Sequence, residues 1–385
     1  MSSFSTVLVT GGAGFIGANF VHRTLETRPG VKVLIFDALT YAANPLNLRT
    51  DDGIPLEVAY PGRVEFIEGD VADAPAFRKA LERAITVTEQ PASPQGAQQS
   101  VDKSQQSATD RVAIVHFAAE SHNDNSLATP AIFARSNVEG TLNVAQAAAD
   151  LGVRLHHIST DEVFGDLALD DPNRFTVDTP YNPSSPYSAS KAAADHFVRA
   201  FVRSRGLKAT ISNCSNNYGP RQHPEKFIPR QITGLIEGHR PRLYGTGENV
   251  RDWIHVDDHN DAVWTILDSG KLGETYLIGA EGERSNLQVV RDLLELFDRP
   301  ADDFVHVTDR PGHDRRYAID PSSIAELGWQ PRFTDFASGL AETVEWYRRN
   351  EKWWVESRVA SERKYRDAEE ELTEEEITAE ASDPA

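Results

Sequence analysis

Cysteine is nearly missing from this chain: Cys214 is the sole one in 385 residues. A lone thiol cannot build an intrachain disulfide framework or a multi-cysteine metal site. Basic residues are also scarce relative to acids, 39 Lys and Arg against 59 Asp and Glu, which leaves a net charge of −20. Nucleic-acid binding rests on clustered Lys and Arg, so this balance disfavours a nucleic-acid partner. Long apolar runs are absent too; none approaches the ~18 residues of a membrane-crossing helix. The opening MSSFSTVLVTGG lacks the basic flank, apolar stretch and cleavage site of a signal peptide. The expectation is a cytoplasmic protein with no membrane partner. Part of the acid excess is local, because residues 366–385 hold nine acids against Arg366. Acid runs of this kind are usually solvated tails.

What is present is a core-forming composition, with 39% hydrophobic residues over a length that suggests two or three units at roughly 150 residues each. The first half alternates strand and helix signals. Thr6–Thr10, Val31–Phe36, Val64–Ile67, Val112–Phe117 and Arg154–Ser159 read as strands, and Asn137–Ala149 reads as a helix. Continuous apolar strands between helices predict a parallel sheet covered on both faces, an α/β doubly wound fold of Rossmann type. Gln90–Asp110 breaks the rhythm: it is rich in Gln, Ser, Ala and Pro and poor in bulky apolar residues. Such a segment reads as an exposed insertion. After about Asn213 the pattern loosens, with helical spacing at Leu287–Phe297 and Phe336–Tyr347.

Gly11, Gly14 and Gly17 follow the first strand directly, and Phe15 and Ile16 open the helix between them. Glycine allows a tight turn and close approach of backbone to a pyrophosphate, and the helix N-terminus supplies unpaired N–H groups. Asp37 ends the second strand, where a carboxylate can accept bonds from ribose hydroxyls and would repel a 2′-phosphate. The pattern predicts NAD rather than NADP. Asp70-Val71 after the third strand and Ala118-Ala119 after the fourth lie at carboxyl ends of strands, where open α/β sheets bind ligands.

Tyr187 and Lys191 stand four apart in SSPYSASKAAADH, so a helix puts them on one face. A nearby cation would lower the phenol pKa and let Tyr187 take a proton from a substrate hydroxyl. With Ser159-Thr160 at the preceding strand end, the chain resembles the extended short-chain dehydrogenase/reductase superfamily. Asp161 and Glu162 come next. Adjacent acids repel and desolvate one another, which can hold one protonated and leave the other as a base.

The whole pattern is similar to the dTDP-glucose 4,6-dehydratase family. The matching segments are FAAESH, STDEVFGDL, PYSASKAAADH, SNNYGPRQHPEKFIP, YGTGENVRDWIHVDDH and RPGHDRRYAID. The resemblance implies a redox-neutral reaction. Tyr187 with Thr160 would deprotonate the 4-hydroxyl, Glu162 would take the C5 proton, and Asp161 would protonate the departing 6-hydroxyl. It also implies that Ser121, His122, Asn216, Glu225, Lys226 and Arg251 hold a nucleotide sugar, and that the enzyme is a homodimer. No metal is expected; the His255 and His259 pair reads as packing. The domains then read as an NAD-binding unit over 1–213 and a nucleotide-sugar-binding unit over 214–355, with 251–268 returning to the first, then a charged tail over 356–385. Asn123, Asn125, Phe164 and Leu277 depart from the family pattern, where Val, Arg, Tyr and Asn are usual. The alternatives are another nucleotide-sugar 4,6-dehydratase, a UDP-sugar 4-epimerase, which generally lacks the Asp-Glu pair, or a non-catalytic NAD-binding scaffold.

Overall fold

A computed structural model describes residues 2–89, 107–309 and 314–366. Most of the Gln90–Asp110 insertion and everything past Arg366 lie outside the described residues. The strands are β1 (Thr6–Thr10), β2 (Lys32–Asp37), β3 (Val64–Glu68), β4 (Val112–His116), β5 (Arg154–Thr160), β6 (Ala209–Cys214), β7 (Asn216–Tyr218), β8 (Arg242–Tyr244), β9 (Val250–His255), β10 (Thr275–Ile278), β11 (Glu283–Ser285) and β12 (Val305–Val307). The helices are α1 (Phe15–Thr27), α2 (Leu56–Ala59), α3 (Ala74–Glu89), α4 (Asn123–Ala128), α5 (Pro130–Phe133), α6 (Gly140–Leu151), α7 (Pro186–Arg205), α8 (Phe227–Ile236), α9 (Val256–Ser269), α10 (Asn286–Leu296), α11 (Ser322–Ala325), α12 (Phe336–Arg349) and α13 (Glu351–Arg366).

Seven strands form one sheet in the order β10-β6-β5-β4-β1-β2-β3. Every pairing in it is parallel. Buried Val, Ile and Leu in β1, β2 and β4 point to both faces, and each face has its own cluster. One includes Phe20, Val21 and Trp264 from α1 and α9; the other includes Phe77, Leu81 and Val144 from α3 and α6. The strand order reverses between β1 and β4, which opens a crevice at their carboxyl ends.

β9 pairs with β7 and β11 in a separate small sheet, and β8 pairs with β12. A third cluster around Tyr218, Ile228, Leu293, Leu340 and Trp354 joins α8, α10, α12 and α13. The return to the large sheet is made by α9, which packs on α1, and by β10, which becomes its edge strand. The chain read as tail from 356 begins inside α13, whose Trp354 and Arg358 are buried. The strongly charged sequence of that helix concealed its two inward anchors.

Candidate active site

The glycine turn is shaped by contacts that exclude side chains. Gly11 has φ +69°, and a Cβ there would stand 2.7 Å from the backbone nitrogen of Ala118. A Cβ on Gly17 would meet the Gly11 carbonyl oxygen at 2.3 Å. Gly14 caps α1 without a side-chain bond, so the N–H groups of the first turn, at Phe15 and Ile16, have no side-chain acceptor at the cap. These features form a narrow cradle that suits a pyrophosphate. Asp37 is buried beside it; its carboxylate accepts the N–H of Ala13 and of Leu39, each at 2.8 Å. Burial pushes its pKa up, and those two bonds oppose the shift. The acid thus pins the loop to the end of β2. Asp70 sits 2.7 Å from Arg135, and Val71 packs under Gly140. Ala118 donates its N–H to the Thr10 hydroxyl at 3.3 Å, and Ala119 follows it at the crevice.

β5 ends at Thr160 and α7 starts at Pro186. Ser185 caps α7 in a reciprocal box with Ser188, and Pro186 sits in its first turn, so the helix starts at a fixed point. Its inner face buries Tyr187 and Lys191. Lys191 Nζ donates to the Ile158 carbonyl at 2.8 Å. Burial lowers its pKa, and Asp195 opposes that. The Tyr187 phenol is pushed up by burial, by Glu162 and by Cys214, while a bond with the Thr160 hydroxyl pulls the other way. The net shift is therefore upward, because burial outweighs the lowering that a neighbouring cation is expected to give. Lys191 gives one of its three N–H donors to the strand carbonyl, and desolvation dominates the phenol.

The two acids have separate surroundings. Asp161 is 1% exposed. Burial raises its pKa well above the ordinary carboxyl value, with Glu162 and Asp252 adding to the shift. Its Oδ1 accepts from the Thr160 hydroxyl at 3.2 Å, and its Oδ2 has no hydrogen-bond partner among the described residues. Glu162 is half-buried, and its Oε2 accepts from Asn123 Nδ2 at 2.9 Å. A buried acid whose pKa is pushed up, beside a half-buried carboxyl that faces a cavity, is an arrangement suited to elimination.

Glu162 opens onto a cavity of about 180 Å³. Ser121, His122, Asn216, Glu225, Lys226 and Arg251 all line it, so every residue read as a sugar-nucleotide contact reaches one space. Lys226 Nζ donates to the Ser121 carbonyl at 2.9 Å. Arg251 lies over the Tyr317 ring at 4.4 Å and donates to the Asp314 carbonyl. His122 Nε2 lies 3.7 Å from Glu225 and 3.3 Å from the Tyr365 hydroxyl. No cluster of three or more His, Cys, Asp or Glu that could hold a metal occurs among the described residues. No helix among them is long and apolar enough to cross a membrane.

The family model described as GDP-mannose 4,6 dehydratase matches residues 8–343. The dTDP-glucose 4,6-dehydratase of Mycolicibacterium smegmatis is 54% identical over 362 residues, which cover 94% of this chain and 98% of that protein. The chain belongs to the dTDP-glucose 4,6-dehydratase family. Among solved structures, DesIV, the dTDP-glucose 4,6-dehydratase of Streptomyces venezuelae, was determined with NAD bound. It is 41% identical with a TM-score of 0.78 and covers 91% of this chain and 99% of its own. The Bacillus anthracis dTDP-glucose 4,6-dehydratase, also in complex with NAD, is 38% identical with a TM-score of 0.76, over 91% of this chain and 99% of its own.

Against that family, the departures at Phe164 and Leu277 are core packing. Phe164 stacks on Phe175 at 5.3 Å, and Leu277 is fully buried in β10. Several cavity residues escaped the sequence reading: Phe227, Tyr244, Asn286, Tyr317 and Tyr365, while Asn123 was noted only as a departure from the family. Tyr244 stands in the YGTGENVRDW segment and was within reach of that signal. Tyr365 arrives on α13, and nothing local in a charged run marks it.

Proposed function

We propose that this dehydratase converts dTDP-glucose to dTDP-4-keto-6-deoxy-glucose and water with NAD retained through turnover, and that the product feeds deoxysugar synthesis, dTDP-rhamnose in particular. The observation that carries the reading is the pairing of buried Asp161 with cavity-facing Glu162 beside Tyr187. The glycine cradle at Gly11, Gly14 and Gly17, with Asp37 behind it, would hold the cofactor. NAD, when bound, supplies the acceptor and donor of hydride. Thr160 and Tyr187 take the proton of the sugar 4-hydroxyl. The 4-ketone acidifies the adjacent C5–H, and Glu162 removes that proton. Asp161 gives its proton to the departing 6-hydroxyl, so water leaves and a C5–C6 double bond forms; the hydride removed from C4 would then add to C6 and a proton to C5, which gives the 4-keto-6-deoxy product with the cofactor restored. Ser121, His122, Asn216, Glu225, Lys226 and Arg251 hold the nucleotide sugar, with Arg251 suited to phosphate oxygens.

Two assignments complete this reading. The enzyme acts in the cytoplasm on a soluble nucleotide sugar, and it is a homodimer. Leu127, Ile132 and Phe197 are exposed on α4, α5 and α7, which pack together and favour an interface there. Light scattering that gives the monomer mass would remove the dimer.

The deciding experiment is proton NMR of purified enzyme with dTDP-glucose in deuterated water and no added NAD. A new C6 methyl signal with deuterium at C5 is expected. A galactose signal would make the enzyme an epimerase, and persistent silence after adding NAD would reassign the substrate.

A further inference from the structure

Asn123 is the first residue of α4 and lies between the two halves of the catalytic apparatus. Its Nδ2 donates to Glu162 Oε2 at 2.9 Å, and its Oδ1 accepts from the Ser185 hydroxyl at 3.0 Å. Ser185 is the N-cap of α7, two residues before Tyr187. A carboxylate only accepts, which turns the amide nitrogen towards Glu162 and leaves the amide oxygen to accept from the Ser185 hydroxyl. The side chain is short and held at both ends, and Asn123 also lines the cavity onto which Glu162 opens.

We propose that Asn123 is a positioning residue that holds Glu162 ionised and aimed into the cavity, and couples its orientation to the start of the tyrosine helix. A donor to a carboxylate favours the charged form. Asp161 next door receives only a hydroxyl at Oδ1 and keeps its other oxygen unpartnered. Burial already favours the proton on Asp161; Tyr187 and Tyr317 also face Glu162, and the Asn123 amide adds a donor bond that favours its charged form. The inference rests on the base role of Glu162 in the proposed reaction, but its central claim about the protonation of Glu162 can be tested without substrate.

The test is a carbon NMR titration of isotope-labelled carboxyl groups in wild type, Asn123→Val and Asn123→Asp, with the Glu162 signal assigned by its loss in Glu162→Gln. Asn123→Val removes both bonds and should raise the Glu162 midpoint by about one pH unit, the size of one charge-assisted bond. Asn123→Asp is isosteric and places an anion at the same point, so it should raise the midpoint further. The acid limb of kcat for dTDP-glucose should move up by the same amount, with kcat at neutral pH down about tenfold in Asn123→Val. Midpoints that coincide in all three proteins would overturn the proposal. Wild-type enzyme without product would sink the reaction assigned above while leaving the titration to decide the role of Asn123. If Asn123→Val fails to fold, the Asn123→Asp titration decides alone.

Discussion

The ammonium of Lys191 donates to the carbonyl of Ile158 at 2.8 Å across 33 residues of sequence. That bond fastens α7, which carries Tyr187, to the strand whose end carries Thr160, Asp161 and Glu162. It is buried, so water cannot substitute for either partner. The bond is therefore both a structural tie and the means by which a charge is kept near the phenol.

Lys191→Met should separate these roles. The substituted side chain has similar length and fills the buried channel, but the Ile158 carbonyl loses its donor. We expect a stability loss of about 1–3 kcal/mol in urea unfolding, the cost of an unsatisfied buried group. Turnover of dTDP-glucose should fall by about 10²-fold or more, because proton transfer at Tyr187 loses its cation. Full activity with lowered stability would show that the lysine serves only the fold.

The two acids should fail at different points of the reaction. Glu162→Gln retains Tyr187 and Thr160, so the C4 oxidation remains measurable as reduced cofactor, while the C6 methyl product and C5 exchange disappear. Asp161→Asn should permit C5 exchange but slow loss of water, with turnover down about 10²–10⁴-fold. It should also stabilise the protein at neutral pH. The folded-state pKa of Asp161 is raised, chiefly by burial. Its contribution is thus complete below the ordinary carboxyl pKa and lost as pH rises through the folded value. An amide has no such loss, so thermal unfolding of Asp161→Asn should exceed wild type at pH 7 and converge with it in acid.

The glycine loop admits an equally direct test. Gly17→Ala sets a methyl 2.3 Å from the Gly11 carbonyl oxygen, so the turn must open. Gly11→Ala must hold alanine at φ +69°, which costs about 1–2 kcal/mol, and also press on Ala118. Both should release the cofactor during purification and need added NAD, with affinity reduced about tenfold or more, as read by fluorescence titration. Tight NAD retention by Gly17→Ala would move the pyrophosphate away from this turn.

Much of this arrangement is legible in the sequence because it is local. The glycine spacing, the strand ends at Asp37 and Thr160, and the i,i+4 pair Tyr187–Lys191 each lie within one turn or one strand. The first five strands fall within one residue of their expected limits for the same reason. What sequence hides is made by distant partners. β7, β9 and β11 are three short strands from residues 216–285 whose pairing no local pattern announces. α13 lacks a clear apolar stripe, and only its contacts, Trp354 on Tyr347 and Arg358 on Glu237, reveal it as part of the fold. The amide of Asn123 was visible as a departure from the family, but its bonds to Glu162 and Ser185 span 39 and 62 residues. The direction of the Tyr187 shift was missed because burial, which sequence does not display, outweighs the neighbouring charge.

Asp252 provides a second dependence on pH. It is 1% exposed in β9, and its Oδ1 accepts the Gly282 N–H at 2.8 Å. Burial pushes its pKa from 3.8 up to about 7, against the pull of that bond. Between those values the folded protein keeps a proton that the unfolded chain releases, so stability must fall as pH rises through the interval. A shift of about three units corresponds to about 4 kcal/mol, lost between roughly pH 4 and pH 7. Asp252→Asn keeps the shape and an acceptor for Gly282 but cannot ionise. Urea unfolding at a series of pH values should therefore show the variant gaining on wild type by up to about 4 kcal/mol across that window, with parallel curves above it. Because Asp252 also raises the pKa of Asp161, ionisation of Asp252 should favour the protonated form of the acid that releases water. The alkaline limb of kcat should accordingly move to lower pH in Asp252→Asn, since the acid then loses its proton more readily. Stability curves that stay parallel from pH 4 to pH 7 would mean that Asp252 is ionised throughout, and the charge balance beneath Asp161 and Glu162 would have to be redrawn.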